Sequence, residues 1–394
     1  MALQYHRQPF KTVYLLYESF STLFFKFPAW FLIAIPRRWR PVPTRSFLRT
    51  LSIHLISHVV AALDKTGPLA REPSHRALEG DDGVWVDPVP HLMDRTLQSW
   101  ASIASVEPIP IPGYFYGTKP DLHKSLDLSQ RKVIYSLHGG SYIQCSAHPS
   151  GVNSTIVRAF LDKTHGSVPF VFAIEYRLST THPLKPSNPF PAALLDALAG
   201  YNYLINTLHI PPSNIIIEGD SSGGNLALAL TRYLVEHQSQ NPDIPPPVGL
   251  LLLSPWCDIG FSHDVPPPPS QYTLGLSADY DPAPRGMDYA KEAFVGPHGM
   301  GAAEINPYIS PASRHRSMNA SFKGFPKTFI CAGEVENLHP QIQLLKKRMV
   351  RDIGDDQVTY WEGKDESHDY LVFPWLSPTW ERTMKEVSDW IHSL

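Results

Sequence analysis

Gly219-Asp220-Ser221-Ser222-Gly223-Gly224-Asn225 constrains this chain more than any other stretch, because it sets a serine between glycines where a strand has to turn directly into a helix. Upstream, Asn214 to Glu218 is a short β-branched run of the kind that forms a buried strand. Downstream, Asn225 to Glu236 is rich in Leu and Ala and reads as a helix. Glycine on both sides of Ser221 permits close backbone approach and a strained turn, which pushes the hydroxyl out at a helix N-terminus. Free N–H groups and the helix dipole favour developing negative charge there. The pattern points to a nucleophilic serine; a Gly/Ser loop that only caps a helix is the plainer reading.

A second motif supplies what such a serine needs. His138-Gly139-Gly140-Ser141 follows the strand-like Lys132 to Leu137 and precedes Ser221 by about eighty residues, the place of an oxyanion loop. Consecutive glycines let the N–H groups of Gly139 and Gly140 converge, together with that of Ser222, on the oxygen of a tetrahedral intermediate. A general base is expected last in the chain. His368 lies in the polar loop Glu366-Ser367-His368-Asp369-Tyr370, between a strand-like run at Gln357 to Trp361 and a helix predicted over Pro378 to Ser393. The loop after the strand-like Pro326 to Cys331 holds two candidate acids, Glu334 and Glu336. Glu336, deeper in the loop, is preferred, since Glu334 directly after Gly333 fits a solvated turn. Asp220 and Asn225, which flank the serine, are read as fixing backbone geometry.

On these residues the chain resembles the hormone-sensitive-lipase-like branch of the α/β-hydrolase superfamily. HGGS is similar to that branch's HGGG, and GDSSGGNLA to its GDSAGGNLA. Glu175-Tyr176-Arg177-Leu178 with Phe190-Pro191-Ala192-Ala193 is similar to its YRLAPE-x-x-FPAAL segment, Leu253-Ser254-Pro255-Trp256 to SPW, and His368-Asp369-Tyr370 to HDF. The resemblance runs from about residue 84 to 390. It implies an α/β fold with a mostly parallel eight-stranded sheet, helices on both faces and a cap or lid. It also implies ester hydrolysis without a cofactor or metal. Three departures stand out: Ser141 replaces the third glycine, Glu336 falls where the family carries Asp, and extra residues separate Leu178 from Phe190.

The remaining composition fits this reading. At 394 residues and 43% hydrophobic content the chain can bury one large α/β core. A net charge of −3 without basic clusters in the catalytic part gives no reason to invoke nucleic acid. Cys145, Cys257 and Cys331 are scattered, with no C-x-x-C pair, and read as small packed residues.

Residues 1–60 differ from the rest, which as residues 61–394 form the expected catalytic domain. Phe20 to Ile35 is rich in Phe, Trp and Leu, is interrupted by Lys26 and Pro28, and is followed by Arg37, Arg38 and Arg40. Three readings stand for it: an amphipathic segment contacting a membrane surface, a short signal anchor, or an apolar helix in a cap over the site. The expected setting is intracellular, at the endoplasmic reticulum membrane or in the cytoplasm. A Pro- and Gly-rich lid insertion is expected over about residues 260–323, with Tyr272, Tyr280, Met287, Tyr289 and Phe294 lining an acyl pocket or packing the lid down. The expected partner is a small hydrophobic ester with a short or medium acyl group. The alternatives are an amide substrate on the same fold and a non-catalytic small-molecule receptor.

Overall fold

The computed structural model describes residues 2–69, 72–80, 82–120, 131–264, 272–273, 276–280 and 287–394. Pro266 to Pro269 and the side chain of Tyr272 lie outside the described residues. The β-branched and leucine-rich runs become the centre of an eight-stranded sheet: β1 (Gly83–Val86), β2 (Ile111–Gly117), β3 (Val133–Leu137), β4 (Phe170–Ile174), β5 (Ile215–Asp220), β6 (Gly249–Leu253), and later β9 (Lys327–Gly333) and β10 (Val358–Gly363). Their spatial order is β1-β2-β4-β3-β5-β6-β9-β10. β2 is antiparallel to both its neighbours, and the strands from β4 to β10 run parallel. Every residue of β3 to β6 is buried. These strands therefore read as near-continuous apolar runs, as a parallel sheet covered on both faces requires.

Side chains alternate between two cores, one on each face. Val133, Tyr135, Ile215, Ile217, Leu250 and Leu252 join the larger core, while Ile134, Ile216, Leu251 and Leu253 join the second. Helices α4 (Arg95–Ala104), α6 (Ala192–Asn202), α7 (Ser222–Glu236) and α10 (His339–Ile353) cover the first face. Helices α5 (Ser154–Lys163) and α11 (Trp380–His392) cover the other. The three cysteines are free, with Cys257 and Cys331 buried.

The chain begins with α1 (Phe10–Ser21), α2 (Phe27–Ala34) and α3 (Phe47–Thr66). Pro28 and Lys26 do not break the first two apart. Thr22–Lys26 continues the helix as one π turn, in which the Phe27 N–H bonds the Thr22 carbonyl, and Pro28 follows directly on that turn. α3 starts at Ser46, whose hydroxyl accepts the Arg49 N–H. It is the one described helix whose length and composition would let it cross a membrane. The lid insertion expected over about residues 260–323 carries regular structure among its described residues: a small hairpin, β7 (Tyr272–Thr273) and β8 (Leu276–Ser277), then α8 (Asp288–Val295) and α9 (Met300–Ile305).

Candidate active site

Ser221 sits between β5 and α7 with φ 50° and ψ −116°, a left-handed conformation that costs a non-glycine residue about 1–3 kcal/mol. The surrounding backbone holds it there. Its N–H donates to the Leu253 carbonyl at 2.9 Å, and its carbonyl accepts the Trp256 N–H at 2.9 Å. Gly223 brings the first turn of α7 so close to β3 that a Cβ on it would be driven into the Leu137 carbonyl.

His368 comes from the loop after β10 and Glu336 from the loop after the adjacent β9. His368 Nε2 lies 3.0 Å from Ser221 Oγ, and Nδ1 lies 3.3 Å from Glu336 Oε2. Asp369 Oδ2 is 3.2 Å from Nε2, so a carboxylate oxygen faces each ring nitrogen. Burial pushes the Glu336 carboxyl up from its ordinary value, and the contact with His368 opposes that rise. Glu334, the other candidate acid, is exposed and accepts the Asp365 N–H at 2.8 Å.

The Gly139 expectation needs correction. Its N–H donates to Asp220 Oδ1 at 2.9 Å and is therefore spent inside the protein. Asp220 also accepts Asn153 Nδ2 at 2.6 Å, so this carboxylate anchors the loop. Burial raises it to about 6, against its hydrogen bonds. Among the hydrogen bonds of the described residues, the N–H groups of Gly140, Ser141 and Ser222 have no acceptor. The Tyr142 N–H donates to Ser222 Oγ at 3.3 Å, which ties this loop to the serine turn. Asn225 is spent on geometry: it accepts Tyr142 Oη at 2.8 Å and donates to the Trp256 and Ile309 carbonyls at 2.9 and 2.8 Å.

Three groups missed in the sequence brace the His368 loop. Asp279 Oδ1 accepts the His368 N–H at 3.0 Å, Arg45 Nε donates to the Asp365 carbonyl at 2.8 Å, and Arg49 ion-pairs with Glu366. Their partners lie 89 residues away for Asp279 and more than 300 for Arg45 and Arg49, so no local pattern exposes them. Of the expected pocket aromatics, Tyr280 stands beside His368 with ring centroids 6.2 Å apart. Phe294 stacks on Tyr142 at 3.9 Å and Met287 is buried, so both pack the insertion onto the body; the Tyr289 hydroxyl reaches the Thr181 carbonyl. Among the described residues, no group of three or more His, Cys, Asp or Glu side chains could hold a metal ion.

Residues 134–372 match a protein family described as the alpha/beta hydrolase fold. The chain is 27% identical over 265 residues to Esterase LipU of Mycobacterium tuberculosis, covering 67% of this chain and 78% of that protein. It is 29% identical over 251 residues to an Acetyl-hydrolase of Streptomyces hygroscopicus, covering 63% and 70%. Among solved structures, it is similar to a hormone-sensitive lipase from a metagenome library, with TM-score 0.52, 25% identity, and coverage of 72% of this chain and 82% of that one.

Proposed function

The chain belongs to the α/β-hydrolase-fold family that residues 134–372 match, and from that premise we propose that it is a serine carboxylic ester hydrolase acting on hydrophobic esters with short or medium acyl groups. The observation that carries this reading is the continuous contact Ser221 Oγ to His368 Nε2 at 3.0 Å and His368 Nδ1 to Glu336 Oε2 at 3.3 Å. A hydroxyl, an imidazole and a carboxylate in that relation are what nucleophilic acyl transfer needs. Similarity to proteins named as an esterase and an acetyl-hydrolase supports the ester as substrate.

In the reaction Ser221 Oγ attacks the carbonyl carbon while His368 Nε2 takes its proton. The oxyanion is held by the N–H groups of Gly140, Ser141 and Ser222, which are left unspent by the fold. His368 passes the proton to the departing alcohol as the carbon–oxygen bond breaks. Water, deprotonated by His368, then attacks the acyl-serine, releasing the acid and restoring Ser221. Glu336 holds the imidazole in the right tautomer and faces its positive charge.

The test is a p-nitrophenyl ester series from acetate to palmitate with wild type and Ser221→Ala. Turnover that peaks at short or medium chains and disappears in the folded variant supports the proposal. A folded wild type without turnover on any ester, or turnover retained by Ser221→Ala, overturns it.

A further inference from the structure

The helix formed by α1, the π turn and α2 has its polarity inverted relative to a helix packed on a soluble protein. Its charged side chains face the protein. Glu18 pairs with Lys26 and with His58 of α3, Thr22 Oγ1 meets His58 Nε2 at 2.9 Å, and Trp30 packs edge-on against His54 and His58. Its apolar side chains face outward: Phe10, Leu16, Leu23 and Phe25 are 65–66% exposed, and Phe20 and Phe24 are more than half exposed. With its other outward phenylalanines and leucines the helix presents on the order of 1,000 Å² of apolar surface, well beyond the largest patch of an ordinary monomer.

From this arrangement we infer that α1 and α2 dock the protein on a phospholipid surface, lying in the plane of the interface. The charge pattern selects a lipid surface. Between Phe10 and Arg40 the only acidic residue is Glu18, 13% exposed and already paired. Basic side chains are exposed at both ends, Arg7 before the helix and Arg37 and Arg38 after it, and the exposed Trp39 sits against Arg38 at 5.6 Å. Cations and tryptophan flanking a phenylalanine-rich face match the headgroup level of a bilayer with anionic lipid. The in-plane orientation follows from the tethers. Arg40 donates to the Ala34, Ile35 and Arg45 carbonyls, and Arg45 and Arg49 bind the His368 loop, so the helices cannot stand upright in a membrane without leaving the body. The inference does not rest on the ester-hydrolase reading.

Flotation of the full-length protein with phosphatidylcholine vesicles, with and without phosphatidylserine, tests it. Wild type is expected to float with the vesicles and to bind more tightly when phosphatidylserine is present. The variant combining Leu16→Ser, Phe20→Ser and Phe24→Ser should lose at least about tenfold in partitioning to both kinds of vesicle. Arg37→Glu with Arg38→Glu should lose only the phosphatidylserine-dependent part. Three outcomes overturn the proposal: wild type that stays in solution with both vesicle types, protein that survives alkaline extraction as a spanning hairpin does, or a stable dimer that the serine variant abolishes.

Discussion

Arg49 of α3 forms a buried ion pair with Glu366, two residues before His368, so a helix near the start of the chain holds the loop that carries the proposed base. Arg49→Met would leave the Glu366 carboxylate buried beside Ser377 and Thr379 without its cation, which costs about 3–5 kcal/mol. Urea unfolding should show that loss, and adding Glu366→Gln should recover part of it. At permissive temperature the single variant should lower kcat more than it raises KM.

Glu336 and Glu334 separate by the same assay. Glu336→Gln should reduce turnover by roughly 10²- to 10⁴-fold, because it removes the anion beside His368 Nδ1. Glu334→Gln touches only the Asp365 N–H and should leave turnover within the same order of magnitude.

Freeing the Gly139 N–H should not help catalysis. Asp220→Ala releases it but also removes the carboxylate that joins the loop to Asn153, and turnover should fall by about tenfold or more, measured as kcat/KM on a short-chain ester. A rise would return Gly139 to the oxyanion role.

Glu175 gives a pH signature. Burial lifts its carboxyl to about 7 despite hydrogen bonds from Ser146 and Ala147, against an ordinary value of 4.5. Between those values the folded state keeps a proton that the unfolded chain has released, so stability falls as pH rises, by at most about 1.4 kcal/mol per pH unit from this group. Glu175→Gln should lessen the dependence of urea midpoints on pH across that window by this group's share, while the buried Glu218, Asp220 and Glu336 carboxyls, which burial also raises, keep contributions of the same sign.

Asn225→Asp keeps the shape of the side chain and deletes both its donors. It would set a carboxylate against the Trp256 and Ile309 carbonyls, a change expected to cost about 2–5 kcal/mol and to lower the thermal midpoint by several degrees.

The elbow, the central strands and the order of serine, acid and histidine were legible in the sequence because each signal is local: β-branched runs, paired glycines, a polar loop after a strand. Gly139 misled because the acceptor of its N–H, Asp220, arrives from another strand. Arg45 and Arg49 were invisible for the same reason. Pro28 read as an interruption because the π turn that accommodates it has no composition of its own. The Pro- and Gly-rich composition of the insertion gives no sign of its two helices, because proline and glycine punctuate α8 and α9 closely.

Close backbone approach of Gly223 to the Leu137 and His138 carbonyls sets the serine turn directly against the end of β3, from which the Gly140 loop leaves. Tyr280, whose ring lies 6.2 Å from that of His368, stands outside this contact. Exchange of residues there leaves the serine turn untouched, whereas any side chain at position 223 would disturb both halves of the proposed catalytic centre at once.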